Sequence, residues 1–426
     1  MKPKNKFQKH VFELSSQLPS ITKAQKQWAY NNCIEHIGKR TSKGVITCLD
    51  CGHSWKGNSE LSDNLLGWNC PECGIKLKVV STRKMVFKQS EYYCIVSTKE
   101  NFQVLRFFHI QYYAKAGQKS QFFISEVAQR WIAHNGKYET IARTKPLSSW
   151  NDTWSLSSKL EIRPEREHHN IYPTGIYPCQ RLIPELKRSG YKGDFFKINP
   201  FRLFCKLLTD SRAETLLKAG QTNVLKFFAG KNFDNISAYW ASIKICIRNN
   251  YQINDVSIWR DYIDLLRFFG KDIHSAKYVC PANFSAEHDR YVRKKRAYQE
   301  REHREQKKKK ALESEQFFYE TKSRFFGIQF TDGLIQIRML ESVNDIMQEG
   351  DILRHCVFAS EYHLRPDSLI LSACIGDKRI ETIEFSLSKM QVVQSRGFCN
   401  KNTEYHDRII NLVNKSKKLI RKRMVA

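Results

Sequence analysis

The chain has 426 residues, of which 41% are hydrophobic and 12% aromatic. Its length corresponds to roughly three ordinary domains, and its composition supports buried cores. It carries 71 Lys and Arg residues against 43 Asp and Glu residues, a formal net charge of +28. This excess indicates a polyanionic partner, for which nucleic acid is the simplest choice and an anionic membrane surface the weaker alternative.

Targeting signals and disulfide frameworks are the next features that the sequence excludes. The basic N-terminal stretch lacks the apolar core of a signal peptide, and no run of about 18 apolar residues predicts a membrane span. Thirteen cysteines are an odd number spread over a long chain, which argues against a secreted disulfide framework. We therefore expect a cytoplasmic protein without a membrane span, in which cysteine binds metal or fills small apolar spaces.

The positive charge is concentrated in three segments. Residues 1–40 carry 8 basic and 2 acidic groups, residues 285–324 carry 13 and 8, and residues 415–426 carry 6 and none. Residues 41–80, by contrast, carry 4 groups of each sign. The three basic segments are therefore the predicted contact surfaces for a polyanion, with solvated arms as the alternative.

Hydrophobic periodicity and turn residues predict an α+β multidomain protein. A capping box formed by Thr22 and Gln25 opens the second of two N-terminal helices. In chain order the predicted parts are N-terminal helices (1–41), a zinc ribbon (42–83), an aromatic antiparallel β region (84–150), a connector with a helical domain (151–284), a long basic bridging helix (285–325) and a small α+β C-terminal domain (326–426).

Four cysteines form the most specific motif of the sequence. Cys48 and Cys51, and then Cys70 and Cys73, are CxxC pairs that are each followed by glycine, with 18 residues between the pairs. Two residues between cysteines let both sulfurs of one turn reach the same ion, and the glycine accommodates a left-handed backbone. We predict one structural Zn²⁺, because four thiolates leave no open coordination position for catalysis. The neutral charge of this segment argues against its being the main phosphate contact.

Aromatic side chains are dense in the β region. The strand predicted over residues 102–113 places Phe108 and Tyr112 on the same face as Arg106, an arrangement that could stack nucleic-acid bases. Burial of these aromatics inside a sheet is the more ordinary explanation.

Helices dominate the middle of the chain. Gly220, Gly230 and Gly270 each follow an apolar run, as C-terminal cap residues do. The next segment, residues 285–325, is predicted to be one polar helix with almost no apolar stripe before Leu312. We therefore expect this helix to bridge rather than to pack.

Cations on the bridging helix and on the tail are the predicted nucleic-acid contacts. The tail has the clearer pattern because its six cations have no acidic neighbour, whereas eight acidic groups partly neutralise residues 285–324. A solvated linker and a frayed basic end are the alternatives. The predicted nucleic-acid-binding residues are Arg293, Lys294, Lys307, Lys308, Lys418, Arg421 and Arg423.

The C-terminal domain contains a predicted three-stranded meander over residues 368–396. Because residues two apart on a strand project to the same side, Gln394 and Arg396 share a face. Gly397 ends the last strand, and Asn400 lies in the loop that follows.

Three short motifs of this domain carry a family resemblance. They are His355-Cys356, Gln394-Ser-Arg396-Gly397 and Asn400. Over about residues 350–413 the sequence resembles PcfJ-like proteins, a family encoded on conjugative plasmids and related mobile elements of bacteria. The resemblance implies a mobile-element context, with nucleic acid and other mobile-element proteins as expected partners, and it supplies no reaction.

The same motifs supply the candidate catalytic residues, which are His355, Cys356, Gln394, Arg396 and Asn400. A nucleophilic cysteine needs a base within hydrogen-bond reach, and a neighbour in sequence points elsewhere on a helix, so His363 or His406 would have to serve. The amides and the guanidinium could hold an oxyanion or a phosphate. The alternative is that the cysteine is a small buried side chain and the polar groups close a structural network.

Two functions from different classes remain. The first is a nucleic-acid-binding accessory protein of a bacterial mobile genetic element. The second is an enzyme of unknown reaction, nuclease-like or cysteine-dependent, that uses the C-terminal residues. A scaffold for a protein complex is a third possibility.

Overall fold

The computed structural model describes residues 1–56, 68–145, 154–230 and 235–425. Helices and three sheets make up these residues, which confirms the predicted α+β multidomain class. The chain divides into two compact units, Met1–Ser285 and Ala286–Ala426. Among the helices of the described residues, none combines the length and the apolarity that a membrane span requires.

Two helices open the first unit, as predicted. α1 spans Lys6–Ser16 and α2 spans Lys23–Cys33. The capping box is confirmed: the Gln25 amide donates to Thr22 Oγ1 at 3.2 Å, and the Thr22 amide donates to Gln25 Oε1 at 3.0 Å. These bonds satisfy two of the backbone donors that the start of a helix leaves without a partner.

A five-stranded sheet follows and contains the predicted ribbon. Its strands are β1 (Ile37–Arg40), β2 (Val45–Cys48), β3 (Ser54–Lys56), β4 (Trp68–Asn69) and β5 (Lys76–Ser81). They lie in the order β3-β2-β1-β5-β4, with β1 antiparallel to β2 and parallel to β5. The central strand β1 lies before residue 42, so the sheet begins inside the segment that we assigned to the N-terminal helices.

The aromatic β region is the largest sheet. Its strands are β6 (Val86–Lys99), β7 (Phe102–Lys115), β8 (Gln121–Ala133), β9 (Tyr138–Ala142), β10 (Glu161–Ile162) and β11 (Gly175–Ile176), in the order β10-β9-β8-β7-β6-β11. On one face of β7, Val104 packs in a cluster with α1 and Phe108 in a cluster with α2. On the other face Leu105 and Phe107 are fully buried. Phe108 and Tyr112, the aromatics predicted to stack bases, are each 2% exposed, so burial explains them.

Short helices form the rest of the first unit. They are α3 (Pro184–Arg188), α4 (Pro200–Thr209), α5 (Ser211–Lys218), α6 (Thr222–Ala229), α7 (Ile236–Arg248), α8 (Val256–Phe268) and α9 (Ala276–Val279). Gly220 and Gly270 take the left-handed φ of 69° and 60° that a C-terminal cap requires. Gly230 follows α6 with a φ of −73°, so this position does not need glycine for its backbone angle.

The predicted bridging helix is α10, which spans the 39 residues Phe284–Lys322. Ala311 and Phe318 are buried in the core of the second unit, whereas Leu312 is 78% exposed. The expectation that this helix would not pack is therefore wrong for its C-terminal part. Residues seven apart lie on the same side of a helix, and a small alanine at the first of two such positions gives a weak sequence signal.

The second unit is built on an antiparallel sheet. Its elements are β12 (Gln329–Thr331), β13 (Gln336–Met339), α11 (Val343–Leu353), β14 (Ser368–Ile375), β15 (Lys378–Ser386), β16 (Gln391–Arg396) and α12 (His406–Val425). The strands follow one another across the sheet in chain order, which confirms the predicted meander of β14, β15 and β16. Ile346 of α11 and Ile409 of α12 belong to the same apolar core as Leu371 and Ile383 of the sheet.

Candidate functional site

The four predicted metal ligands come together in the first unit. One sulfur from each of the four cysteines, Cys48, Cys51, Cys70 and Cys73, lies within 4.8 Å of the others. The two turns repeat each other: the Gly52 amide donates to the carbonyl of the first cysteine at 3.0 Å, and the Gly74 amide does the same in the second turn at 2.9 Å. Both glycines have left-handed φ, 85° and 73°, as the motif predicted.

This donor set fits a single metal ion. Four sulfurs at such separations match tetrahedral coordination, and thiolates are the ligands that soft or borderline ions prefer. The set leaves no open coordination position, so the ion it could hold has a structural role.

A buried carboxylate anchors the first cysteine turn. Asp50 is 4% exposed, and its Oδ1 lies 2.6 Å from Tyr30 Oη, 3.0 Å from Tyr112 Oη and 2.9 Å from His36 Nδ1. Burial by itself would raise the pKa of Asp50, but the hydrogen bonds from His36 and Tyr30 outweigh burial and hold it below its ordinary value. The Ser120 amide donates to the Asp50 carbonyl at 2.9 Å, so the turn is fixed to α2 and to the large sheet.

The five predicted catalytic residues line one cavity in the second unit. It has a volume of about 260 Å³, and its wall includes His355, Cys356, Gln394, Arg396 and Asn400. The sheet register explains part of this arrangement: Gln394 of β16 pairs with Glu384 of β15, and Arg396 pairs with Thr382. Both β15 partners also line the cavity.

Two glycines hold the backbone around this cavity. A Cβ on Gly397 would lie 2.7 Å from Thr403 Cγ2 and 2.8 Å from the Ile380 carbonyl oxygen, distances that side chains do not tolerate. A Cβ on Gly350 would lie 3.0 Å from the carbonyl oxygen of His355. Glycine is thus required at position 397, beside the motif with the arginine, and a side chain at position 350 would crowd the motif with the histidine.

A chain of hydrogen bonds runs from His355 to a buried carboxylate. His355 Nε2 lies 2.7 Å from Thr382 Oγ1, and the Thr382 hydroxyl donates to Glu349 Oε1 at 2.8 Å. When the Thr382 hydroxyl donates to an ionised Glu349, its oxygen accepts from Nε2 of the neutral imidazole, and that tautomer carries its lone pair on Nδ1. Burial lowers the pKa of His355, so the neutral ring is favoured.

Glu349 is fully buried at the end of this chain. Its Oε2 accepts hydrogen bonds from Ser372 Oγ at 3.0 Å and from Arg379 Nη1 at 2.5 Å. Burial raises the pKa of Glu349, and the bonds from Ser372, Thr382 and Arg379 offset only part of this effect. The cavity histidine is therefore connected to a carboxylate that the fold keeps away from water.

The remaining polar groups are positioned by hydrogen bonds to neighbouring side chains, two of which, Tyr362 and Glu384, also line the cavity. Gln394 Nε2 donates to Tyr362 Oη at 2.8 Å and to Glu384 Oε2 at 3.0 Å. Arg396 donates to the side-chain oxygen of Asn402. Each side chain is thus held in one orientation, as a site that binds a small polar group requires.

Cys356 lies on this cavity and is exposed. Within the described residues no hydrogen bond joins its thiol to a histidine. His406 Nδ1 lies 2.9 Å from the buried Glu381, and His363 stacks on Phe358 and lines a different cavity. The two histidines that the sequence offered as its base are therefore engaged elsewhere, and Cys356 is not the small buried side chain of the alternative interpretation.

The predicted nucleic-acid contacts lie on two helices of the second unit. Six of the seven side chains are exposed, namely Arg293, Lys294 and Lys308 on α10 and Lys418, Arg421 and Arg423 on α12. Lys307 is only partly exposed, and its Nζ donates to Asp351 at 2.9 Å, so its charge is already paired. On α12 the buried side chains Ile409, Val413 and Ile420 face the core, which leaves the cations on the solvent side.

Several residues of the two sites were not found from the sequence. Asp50 lies in the sequence between the predicted ligands Cys48 and Cys51, and this position was the only indication of its role. Glu349 and Thr382 carry no motif of their own, because their importance depends on α11 packing against β15. Glu384 could have been suspected as an acidic residue in the middle of an apolar strand.

The comparisons with known proteins bear on the second half of the chain. The family model for PcfJ-like proteins matches residues 258–410, a little over a third of the sequence. This match contains all five cavity residues and supports the resemblance seen in their motifs. Comparison with the curated proteins and with the solved structures gave no significant match.

Proposed function

We propose that this PcfJ-like chain is a cytoplasmic nucleic-acid-binding protein, an accessory factor of a bacterial mobile genetic element that contains one structural zinc ion. The observation that carries the proposal is the basic solvent face of α12. Its predicted contacts Lys418, Arg421 and Arg423 are exposed, and within the described residues none of them takes part in an ion pair. The match to PcfJ-like proteins supports the mobile-element context.

Such a face suits a phosphate backbone better than a protein partner. Three exposed cations without an ion pair among the described residues lie on two turns of helix, in a stretch (415–426) that contains no acidic residue, and phosphate contacts release counterions from nucleic acid. The apolar side of the same helix is used by the core, so the solvent side consists of the cations with Leu419, which is 49% exposed, between them.

The test is a titration of labelled DNA and RNA at several salt concentrations. We compare the wild type with K418Q/R421Q/R423Q and with K159Q/K187Q/K192Q, which removes three exposed cations from the first unit. The slope of log affinity against log salt is expected to fall by about 0.9 for each lost contact to duplex DNA, in the tail variant alone. A wild-type slope near zero, or equal effects of the two variants, would contradict the proposal.

A second candidate function is an enzyme that uses the C-terminal cavity, either nuclease-like or cysteine-dependent. It is favoured by the convergence of five predicted residues on one cavity and by the chain from His355 to Glu349. In the nuclease-like version His355 accepts a proton on Nδ1, and Arg396 with the neighbouring amides holds a phosphate oxygen. The missing histidine partner of Cys356 makes the cysteine-dependent version the weaker one.

These versions are separated by two measurements. Degradation of labelled DNA or RNA that is lost in His355→Gln and kept in His134→Gln, an exposed histidine of the first unit, supports the nuclease-like version. Alkylation at neutral pH compares Cys356 with Cys399, another exposed cysteine of the same unit. Equal rates at the two cysteines would eliminate the cysteine-dependent version, because an activated thiolate reacts faster than an ordinary thiol.

A further inference from the structure

A large polar groove lies in the first unit, apart from the cysteine site and from the C-terminal cavity. Its volume is about 700 Å³, within the range of small-molecule and nucleotide sites. It is lined by Arg202 of α4 and the segment just before that helix, by one side of α6, by the start of α8 and by the segment that contains Tyr172.

Three cations line this groove. Lys197 and Lys226 are exposed and Arg202 is partly exposed, and within the described part of the chain none of them makes an ion pair or a hydrogen bond through its side chain. The wall also holds the carboxylates of Glu167 and Asp255, of which Asp255 accepts a hydrogen bond from the Ile258 amide, so the cations exceed the carboxylates by one charge. The groove therefore favours an anionic ligand.

An aromatic ring stands at the same groove. Tyr172 is 59% exposed, more than most large apolar side chains of this protein, and the amide side chains of Asn223 and Asn254 lie in the same wall. An exposed ring beside unpaired cations is the combination by which proteins bind single-stranded nucleic acid, because a base stacks on the ring while cations contact the backbone.

The backbone beside Lys197 is held in an unusual conformation. Phe196 and Lys197 have left-handed φ of 50° and 59°, which residues with a side chain seldom adopt. Asp194 Oδ1 accepts a hydrogen bond from the Phe196 amide at 2.7 Å, and the Ile198 amide donates to the Phe195 carbonyl at 2.7 Å. Such conformations persist where the surrounding structure imposes them, and they concentrate at ligand sites.

We propose that this groove binds single-stranded nucleic acid, with a base stacked on Tyr172 and with phosphates contacted by Lys197, Arg202 and Lys226. The inference takes the class of ligand from the proposed function, and it adds a second contact surface that prefers single strands. The aromatic contact that the sequence suggested for β7 is thereby assigned to a different part of the same unit.

The test uses the full chain and a labelled 12-nucleotide strand, as DNA and as RNA, with the matching duplex as a second probe. Tyr172→Leu is expected to weaken single-strand binding by about 10-fold, as the loss of one stacked base does, with little effect on the duplex. Phe123→Leu, which changes another ring more than half exposed in this unit, is the control and is expected to bind as the wild type does. K197Q/R202Q/K226Q is expected to reduce the salt slope for single strands by about 0.7 for each lost phosphate contact.

These measurements distinguish the proposal for the groove from the proposal for the basic face of α12. If the tail variant K418Q/R421Q/R423Q binds normally while Tyr172→Leu is impaired, the groove stands and the tail proposal fails. Folded groove variants that bind single strands as tightly as the wild type would overturn the inference. So would an equal loss for single strand and duplex, or saturation by adenosine monophosphate at the same affinity as the 12-nucleotide strand.

Discussion

Two buried carboxylates, Asp50 in the first unit and Glu349 in the second, show how differently the two sites are built. Each is within reach of at least three side-chain partners, and both are at least nine-tenths buried. Yet hydrogen bonds lower the pKa of Asp50 below its ordinary value, whereas burial raises the pKa of Glu349.

The opposite pKa shifts indicate that Asp50 is a structural anchor and that Glu349 is held in an unfavourable environment. The three partners of Asp50 meet at one oxygen and stabilise its charge, so the carboxylate ties the cysteine turn to its neighbours at a favourable energy. Glu349 lies deeper and keeps a net desolvation penalty even beside Arg379. Asp50 is thus an anchor of the cysteine turn, whereas Glu349, whose pKa is raised, is a candidate functional group that a structural ion-pair network would also explain.

The largest effect is expected at the ribbon. Cys70→Ser should remove one equivalent of zinc and most of the hydrogen-exchange protection of β1 to β5, because a structural zinc site contributes on the order of 10 kcal/mol to folding. Cys179→Ser, an exposed cysteine outside the four, is the control. Mass spectrometry of bound metal and amide exchange give the two readouts. If the wild-type protein contained no stoichiometric metal, the four cysteines would not form a structural metal site, and this prediction would be wrong.

Removal of Glu349 comes next. Glu349→Ala should lower the free energy of unfolding by about 3–5 kcal/mol, because it leaves buried partners of a charged group unsatisfied. Urea unfolding is the measurement, and Glu404→Ala, an exposed carboxylate of the same unit, should change it by less than about 0.5 kcal/mol. If the two variants were equally stable, Glu349 would be no more than a tolerated polar residue.

The cysteine site could be predicted from the sequence more completely than the C-terminal cavity could. The cysteine spacing encodes its own geometry, since two residues in a tight turn fix where both sulfurs point. The ligands Cys48, Cys51, Cys70 and Cys73, and the left-handed glycines after them, could therefore be predicted without a fold. Asp50 could not, because its partners Tyr30 and Tyr112 come from α2 and β7.

At the cavity, alternation along β16 was enough to place Gln394 and Arg396 on one face. The rest depended on long-range packing: Glu349 reaches His355 only because α11 lies on β15, and nothing in the spacing of these residues reports it. The expectation that α10 would bridge without packing was wrong at its C-terminal part for the same reason. The core takes Ala311 and Phe318 of this helix, whereas the larger Leu312 is 78% exposed.

A buried cation extends the comparison within the second unit. Lys322 is 1% exposed and donates to the Pro366 carbonyl at 2.6 Å, and burial lowers its pKa from 10.5 to about 8. Below pH 8 both the native and the unfolded state are charged, and the native state bears a constant penalty of roughly 3 kcal/mol. Between pH 8 and 10.5 the unfolded state retains the proton that the native state has lost, so stability rises with pH.

Lys322→Met should abolish this rise and should be more stable than the wild type at pH 7. Unfolding free energies from pH 7 to 10.5 give the measurement, and Lys389→Met, an exposed lysine of the same unit, should keep the wild-type slope. Parallel curves for the wild type and Lys322→Met would mean that the buried ammonium is not strained. The contrast between a relaxed ribbon and a strained C-terminal unit would then rest on Glu349 alone.

The smallest predicted effect tests whether the second cysteine turn, unlike the first, is free of contacts with the rest of the chain at its glycine. Gly74 has a φ of 73°, and a Cβ added there would have nothing within 4 Å, so Gly74→Ala should reduce stability by about 1 kcal/mol through backbone strain alone. Gly44→Ala, with a φ of 77° and equally open space outside the turns, should match it. Gly52→Ala should be worse, because its Cβ would lie 3.0 Å from the backbone of Gln118. Thermal unfolding orders the three variants, and an equal loss for Gly52 and Gly74 would show that the first turn is no more tightly anchored than the second, against the role given to Asp50.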